Sequence, residues 1–188
     1  MVTIRSETYR DAEAREHLLD SVWGPSRFEK TAERLREGRS PAAGLSLIAE
    51  HDGTVVGTVR LWHICAGPGP PVLLLGPLAV DEAWRGLGIG SALMQRAIGA
   101  AGRRGHDALL LVGDAPYYRR FGFSAEKTGA LWLPGPFERQ RLLGCELKAG
   151  ALDGARGLIS PTGRSMRKPS LNPLLTNPAG NLAARHAA

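Results

Sequence analysis

The spacing of hydrophobic residues changes along this chain, and each change predicts a different element of secondary structure. Val2–Glu7 alternates between apolar and polar positions, which is the two-residue period of a strand. Asp11–Trp23 places Ala14, Leu18 and Val22 on one helical face, because helical neighbours lie three or four residues apart. The chain is therefore predicted to begin with a strand that leads into an amphipathic helix.

The next segments carry a helix signal and then a hairpin signal. Ser26-Arg27-Phe28-Glu29 has the form of a capping box, so a second helix is predicted from there to about Glu37. Leu45–Glu50 and Thr54–Trp62 are two β-rich runs, and His51-Asp52-Gly53 joins them. Since Asp-Gly between two such runs favours a tight turn, the runs are predicted to pair as a hairpin.

The middle of the chain combines apolar strands with one long helix. Val72–Val80 is an apolar strand that Gly76-Pro77 interrupts, because proline cannot donate to a sheet ladder. Ser91–Arg104 repeats apolar residues at helical intervals, and the continuous apolar run Ala108–Val112 is typical of a strand buried on both faces. Shorter elements are predicted downstream: a helix over Pro116–Arg120 and strands over Phe123–Glu126 and Arg141–Leu147.

Three glycines at alternate positions separate the apolar strand from the long helix. Gly86, Gly88 and Gly90 follow Arg85 directly, and glycine lets a ligand approach backbone N–H groups without meeting a Cβ atom. The first turn of a helix has unpaired N–H groups and the positive end of the helix dipole. Arg85 adds a charged donor at the same place. The segment therefore predicts a site for a phosphate or pyrophosphate group.

Two common phosphate-binding motifs do not fit this spacing. A dinucleotide fingerprint requires Gly-x-Gly-x-x-Gly and an acidic residue about 20 positions later. Here the pattern is Gly-x-Gly-x-Gly, and that later position falls within the apolar run Ala108–Leu111. A P-loop requires Gly-Lys followed by Ser or Thr, which this segment lacks.

The glycine segment instead resembles a known family motif. Arg85-Gly86-Leu87-Gly88-Ile89-Gly90 is similar to the Arg/Gln-x-x-Gly-x-Gly/Ala motif of the GCN5-related N-acetyltransferase (GNAT) family. Tyr117-Tyr118-Arg119-Arg120-Phe121-Gly122-Phe123 resembles the family's Tyr-x-x-x-Gly-Phe segment, and with Gly113-Asp114 it is similar to a bacterial subgroup of unassigned substrate. Over roughly residues 2–150, the resemblance implies an α/β (α+β) fold with a mixed, mostly antiparallel central sheet and helices on both faces.

The resemblance also implies a co-substrate and the residues that hold it. Acetyl-coenzyme A would lay its pantetheine arm along the backbone of Leu78 and Val80, where the strand separates from its neighbour at 108–112. Its pyrophosphate would lie at the glycine turn and the start of the helix. The implied pyrophosphate-binding residues are Arg85, Gly86, Leu87, Gly88, Ile89, Gly90 and Ser91.

Tyr118 aligns with the tyrosine that protonates the departing thiolate in many GNAT members, so it is the predicted catalytic residue. Tyr117 lies about 100° away on the same short helix and is expected to tolerate loss of its hydroxyl. Many members also have a Glu before the glycine motif that deprotonates the amine, but Val72–Leu78 contains no ionisable residue. Glu50, His63 and Asp114 are the candidate substitutes, and the role stays unassigned.

The predicted reaction is direct transfer of an acetyl group from acetyl-CoA to a primary amine in a ternary complex. The acceptor, a small molecule or a peptide, is expected between Trp23-Gly24-Pro25 and the loop Leu131–Phe137. The absent strand carboxylate leaves a second interpretation open, which is a non-catalytic module that binds acyl-CoA. The expected assembly is a monomer or a homodimer.

Charge distribution decides against nucleic acid as the expected partner. The chain has 188 residues and a formal net charge of +6, which by itself favours an acidic partner. Residues 1–149, however, carry 19 Lys and Arg against 17 Asp and Glu, whereas residues 150–188 carry five against one. The excess therefore lies beyond a single domain at 1–150, in an extension at 151–188 that is predicted to be a largely disordered basic tail.

The rest of the composition bears on the cellular location of the protein and on whether it binds a metal. Two cysteines, Cys65 and Cys145, are too few for a disulfide framework or a zinc site, so no metal is expected. No run approaches the roughly 20 apolar residues of a membrane span, and the N-terminus lacks the pattern of a signal peptide. A cytoplasmic location without membrane contact is therefore expected.

Overall fold

The structure, a computed structural model, describes residues 1–166. Its longer helices are α1 (Ala12–Trp23) and α2 (Ile89–Arg103), and α3 (Ala115–Tyr118) is a single turn. The strands are β1 (Val2–Ser6), β2 (Ser46–His51), β3 (Thr54–Cys65), β4 (Pro71–Val80), β5 (Ala108–Val112), β6 (Leu131–Trp132), β7 (Leu142–Glu146), β8 (Gly157–Leu158) and β9 (Ser160–Pro161).

The central sheet is mixed and mostly antiparallel. Its strand order is β1-β2-β3-β4-β5-β7, and within this order only the pair β4–β5 is parallel. Strand β9 pairs with the end of β3, and β6 and β8 form a separate parallel pair. The predicted fold class is confirmed, and the hairpin predicted at Asp52-Gly53 is the β2–β3 connection.

The apolar runs form central strands because both faces of the sheet are covered. Leu73 and Leu75 of β4 pack into the cluster that contains α2, whereas Val72 and Leu74 pack into the cluster on the opposite face. The same alternation occurs in β5. A strand with two buried faces needs apolar residues at every position, which explains its continuous hydrophobic pattern.

Helices lie on both faces of the sheet, as predicted. On one face α2 buries Leu93, Met94 and Ala97 completely. On the other face α1 packs Leu18 and Leu19 against Ala79. Among residues 1–166, no helix is both long and apolar enough to cross a membrane.

The two parallel strands separate towards their carboxyl ends. Strand β4 pairs with β5 only at Leu73 and Leu74, although it continues beside β3 as far as Val80. The β3–β4 register shifts opposite Gly76-Pro77, and Gly76 has φ 131°, a backbone conformation that favours glycine. One edge of β4 is therefore unpaired by β5 beyond Leu74, which agrees with the irregularity predicted from Pro77.

Two predicted elements are wrong. The helix predicted from Ser26 to Glu37 is instead a pair of 3-10 segments, Pro25–Glu29 and Thr31–Leu35, separated by Lys30 in an extended conformation. The Ser26 hydroxyl donates to the carbonyl of Trp23 and so does not cap a following helix. The strand predicted over Phe123–Glu126 is reduced to one bridge between Ser124 and Gly144, because the chain turns away on both sides of it.

The packed part of the chain extends beyond the boundary predicted at residue 150. Leu152 and Ile159 are buried in the second core cluster, and Pro161 of β9 lies opposite Ile64 of β3. These contacts come from single side chains and two-residue strands, which leave no periodic signal in the sequence. The remainder of the predicted tail, residues 167–188, lies outside the described residues.

Truncation after Met166 is expected to leave the melting temperature within about 2 °C of the full chain, because residues 167–188 contain no periodic apolar face. Truncation after Gly150 is the matched control. It removes the buried Leu152 and Ile159, each worth about 2–5 kcal/mol, so a loss of about 10 °C or more is expected. Thermal unfolding followed by circular dichroism measures both. A large loss in the chain truncated after Met166 contradicts the assignment of 167–188 as dispensable.

Candidate active site

The glycine turn between β4 and α2 is open on one side. Gly86 and Gly88 have φ 80° and 79°, in the left-handed region that favours glycine. A Cβ atom built on either residue meets no atom within 4 Å. Their backbone therefore borders open space, which a ligand can approach closely.

The N-terminus of α2 faces the same space with unpaired donors. Gly88 is the N-cap residue, and the Ala92 N–H donates to its carbonyl at 2.9 Å. The amides of residues 89–91 therefore precede the first intrahelical hydrogen bond. With the helix dipole behind them, these donors can bind an anion such as a pyrophosphate.

A groove of about 430 Å³ runs from this turn along the unpaired end of β4. Of the residues predicted to bind the co-substrate, it brings together Leu78, Val80, Arg85, Gly86, Gly88, Ile89, Gly90 and Ser91. Leu87 is not among the lining residues, and the residue is 67% exposed. The groove thus combines a strand edge, a glycine turn and a helix N-terminus in one continuous surface.

Two groove residues, Tyr117 and Arg120, were missed as ligand-binding candidates. The Tyr117 hydroxyl lies 3.0 Å from the point that a Cβ atom on Gly90 would occupy. The Arg120 guanidinium carbon lies 4.7 Å from the centre of the Tyr117 ring, and Arg120 lines the groove as a second cation in addition to Arg85. Both residues belong to the Tyr-Tyr-Arg-Arg-Phe-Gly-Phe segment, and this segment was the sequence signal that could have indicated their position in the groove.

A larger cavity of about 720 Å³ adjoins the groove and shares Trp23 and Leu78 with it. Its walls include Leu133 and Phe137 from the loop that was expected to enclose the acceptor. Tyr118 lines this cavity, whereas Tyr117 lines the groove. The two adjacent tyrosines therefore face different compartments, with their rings in an edge-to-face contact at 4.9 Å.

Gly113 makes room for the Tyr118 ring. A Cβ atom at Gly113 would lie 2.2 Å from Cε2 of Tyr118, which is well inside contact distance. On its other side the Tyr118 ring packs edge-on against Phe123 at 6.2 Å. The strand end and the Gly-Phe segment together hold the ring between them.

A profile of the acetyltransferase (GNAT) family matches residues 6–123, which is more than half of the chain. The chain belongs to the GNAT family of acetyltransferases. The uncharacterised N-acetyltransferase YhbS of Escherichia coli strain K12 is 29% identical over 157 residues, an alignment that covers 83% of this chain and 93% of YhbS.

Solved structures of GNAT proteins have the same fold. YhbS of Escherichia coli, in complex with CoA, superimposes with a TM-score of 0.72 at 27% identity and covers 88% of this chain and 96% of that one. A GNAT acetyltransferase of Brucella melitensis, in complex with acetyl-CoA, gives a TM-score of 0.58 at 27% identity, with 76% and 94% covered. This protein is therefore an acyltransferase of the GNAT type.

In this GNAT protein, burial keeps the Tyr118 hydroxyl protonated. Loss of solvation, together with the smaller effects of the nearby Tyr117 and Asp114, raises the pKa of Tyr118 to about 12. A phenol in this state is neutral throughout the physiological pH range. It can donate a hydrogen bond, and its proton, to a negative charge that develops nearby.

The raised pKa predicts a pH effect on stability. The unfolded chain ionises tyrosine near pH 10, so the stabilising contribution of neutral Tyr118 is complete below about pH 10 and is lost as pH rises towards 12. Alkaline titration of tyrosinate absorbance is expected to show one late-titrating group, and Tyr118→Phe is expected to remove it. Tyr117→Phe is the control, and loss of the late group in that variant instead contradicts the assignment.

Of the three candidate bases, one lines the larger cavity. Asp114 is there, with its Oδ1 atom 3.3 Å from Nη2 of Arg141. Glu50 accepts a hydrogen bond of 2.8 Å from Arg5 and lines neither cavity, and His63 packs against the His106 ring. Sequence order alone could not separate these candidates, because strand pairing decides which of them meets the site.

Proposed function

We propose that this acetyltransferase transfers an acetyl group from acetyl-CoA to a primary amine by direct attack in a ternary complex. One observation carries the proposal: the groove and the larger cavity meet at Trp23 and Leu78. A thioester at the end of the groove and an amine in the cavity would come into contact at this junction. Holding both reactants in one cleft lowers the entropic part of the barrier.

For acetyl-CoA, the proposal assigns the groove as the binding site. The backbone of Leu78 and Val80 offers hydrogen-bonding groups to the amides of the pantetheine arm, since β5 does not pair with this end of β4. The amides of residues 86–90 would hold the pyrophosphate, with support from the side chains of Arg85 and Ser91. The complexes of YhbS with CoA and of the Brucella protein with acetyl-CoA support this choice of co-substrate.

In the proposed reaction, the amine nitrogen attacks the thioester carbonyl carbon and the C–S bond breaks. Tyr118, which lines the cavity that meets the groove, would donate its hydroxyl proton to the departing sulfur, and the proton that the nitrogen releases on forming the amide would restore the phenol. The attacking amine must first lose a proton. Asp114 is in the cavity and could accept it, but its exposed carboxylate is already paired with Arg141, so the base is left open.

Product analysis tests the proposal directly. The protein is incubated with acetyl-CoA and pools of small amines, peptides and aminoglycosides, and mass spectrometry identifies acetylated products. The expected result is one acetylated acceptor class together with an equal amount of free CoA. Binding of acetyl-CoA without any product would instead favour a non-catalytic acyl-CoA-binding module.

A further inference from the structure

Arg36 is a buried cation with unused hydrogen-bonding capacity. The residue is 8% exposed, although a guanidinium has five N–H donors to satisfy. Among residues 1–166, its Nε is the one buried side-chain nitrogen or oxygen without a hydrogen-bond partner. An unpartnered polar atom of this kind needs an explanation, because burying it is costly.

A single carboxylate compensates the charge of Arg36 incompletely. Nη2 of Arg36 lies 2.9 Å from Oε2 of Glu33, whose side chain is 26% exposed. Loss of solvation still lowers the pKa of the Arg36 guanidinium, against the opposing effect of Glu33, and Arg27 lowers it further. The protein therefore keeps a positive charge at this point without supplying a full set of partners.

Arg36 lies in the wall of the cavity that is proposed to hold the acceptor. It lines the larger cavity, and its Nη1 atom lies 3.7 Å from the point that a Cβ atom on Gly76 would occupy. Gly76 lies in β4 just beyond its last pairing with β5. The guanidinium therefore faces the acceptor side of the strand gap.

Lys30, a second cation that lines the same cavity, also has hydrogen-bond donors that are available to a ligand. Its Nζ atom lies 3.5 Å from the centre of the Trp23 ring, and it takes part in no salt bridge within the described part of the chain. Burial lowers the pKa of Lys30, and the positive charges of Arg141 and Arg36 lower it further. Lys30 therefore lies close enough to both arginines for their positive charges to disfavour its own.

We propose that the acceptor amine also carries an anionic group, a carboxylate or a phosphate, which Arg36 binds with help from Lys30. The inference rests on the proposed function, since it describes the acceptor of that reaction. A guanidinium presents paired N–H donors that match a carboxylate or phosphate, and such charge-assisted hydrogen bonds are strong. Binding an anion would satisfy free donors of Arg36 and offset the positive charges of Arg36 and Lys30.

Matched acceptor pairs test this proposal. Each amino acid is compared with its carboxamide, and phosphoethanolamine is compared with ethanolamine, so that the members of a pair differ mainly in the anionic group. With acetyl-CoA, kcat/KM is expected to be at least about tenfold higher for the anionic member of the preferred pair. The amino acid and phosphoethanolamine arms separate carboxylate from phosphate recognition. Equal or better use of the neutral members would overturn the proposal.

Two arginine variants separate anion binding from a general effect on the cavity. Arg36→Gln is expected to reduce the preference for the anionic member to about twofold or less, mainly by raising KM for that member. Arg34→Gln is the matched control, because Arg34 also lines the cavity but is exposed and donates to the carbonyl of Pro134 at 2.7 Å. It is expected to keep the wild-type preference whatever its overall rate. Survival of the preference in Arg36→Gln contradicts the proposal.

Two further measurements keep the proposal testable if a variant misfolds or turnover is absent. Should Arg36→Gln not fold, Arg36→Lys keeps the charge but loses the paired donors, and the anionic preference is expected to fall several-fold rather than persist. If no acceptor is acetylated, nuclear magnetic resonance titration of the CoA-saturated protein with the same amino acids and phosphoethanolamine decides the point. If the wild type binds one of these anionic amines and the Arg36 variants do not, the anion site is supported even though transfer has failed. If the wild type binds none of them, the proposal is overturned.

Discussion

Replacing Tyr118 with Phe is expected to lower kcat by about 10²–10⁴-fold, the usual contribution of a general acid. The Kd for acetyl-CoA should change little, because proton donation to sulfur matters only as the C–S bond breaks. The ring should keep its place between Gly113 and Phe123, since Phe differs only by the hydroxyl. Steady-state kinetics on any acetylated amine, with calorimetry for acetyl-CoA, measures both quantities.

Tyr117→Phe is the control for this prediction, because its neighbouring hydroxyl lies in the other compartment. Tyr117 lines the groove over Gly90, so removal of its hydroxyl is expected to weaken acetyl-CoA binding modestly and to leave kcat within a few-fold. If the two variants lose equal activity, or if Tyr117→Phe has the lower kcat, Tyr118 is not the proton donor.

Gly88→Glu is expected to weaken acetyl-CoA binding by well over tenfold, which is more than about 1.4 kcal/mol. Gly88 caps α2 and has φ 79°, so its Cβ would project into the open side of the turn. The added carboxylate would bring negative charge to the place where the helix N-terminus and Arg85 favour an anion. Calorimetry with acetyl-CoA on the folded variant measures the loss.

Gly105→Glu is a control matched in charge and in backbone strain. Gly105 has φ 77°, and a Cβ atom there also meets no atom within 4 Å, but it lies beyond the opposite end of α2. Both variants place a non-glycine residue in the left-handed region, at a cost of about 1–2 kcal/mol of stability. Equal effects of the two variants on acetyl-CoA affinity would refute the glycine turn as the pyrophosphate site.

Much of the frame around the site could be predicted from the sequence, because its signals are local. The apolar runs of β4 and β5 indicate strands with two buried faces, and the helical period after Gly90 indicates α2. The helix predicted from Ser26 failed for a local reason as well: the residue types of a capping box are present, but the Ser26 hydroxyl turns back to Trp23. A pattern of residue types cannot show which partner a hydroxyl chooses.

The sequence by itself determined the family and the compact motif at the glycine turn, because those residues are adjacent in the chain and act through their own backbone. Tertiary structure decided which residues line the groove and the larger cavity. Trp23, Arg36, Tyr118 and Phe137 meet around one cavity although they are widely separated in sequence. Their meeting depends on the separation of β4 from β5 and on the packing of irregular segments, neither of which leaves a periodic signal in the chain. The buried charge of Arg36 is visible only once its neighbours are known, since burial is a property of the folded surroundings and not of the residue.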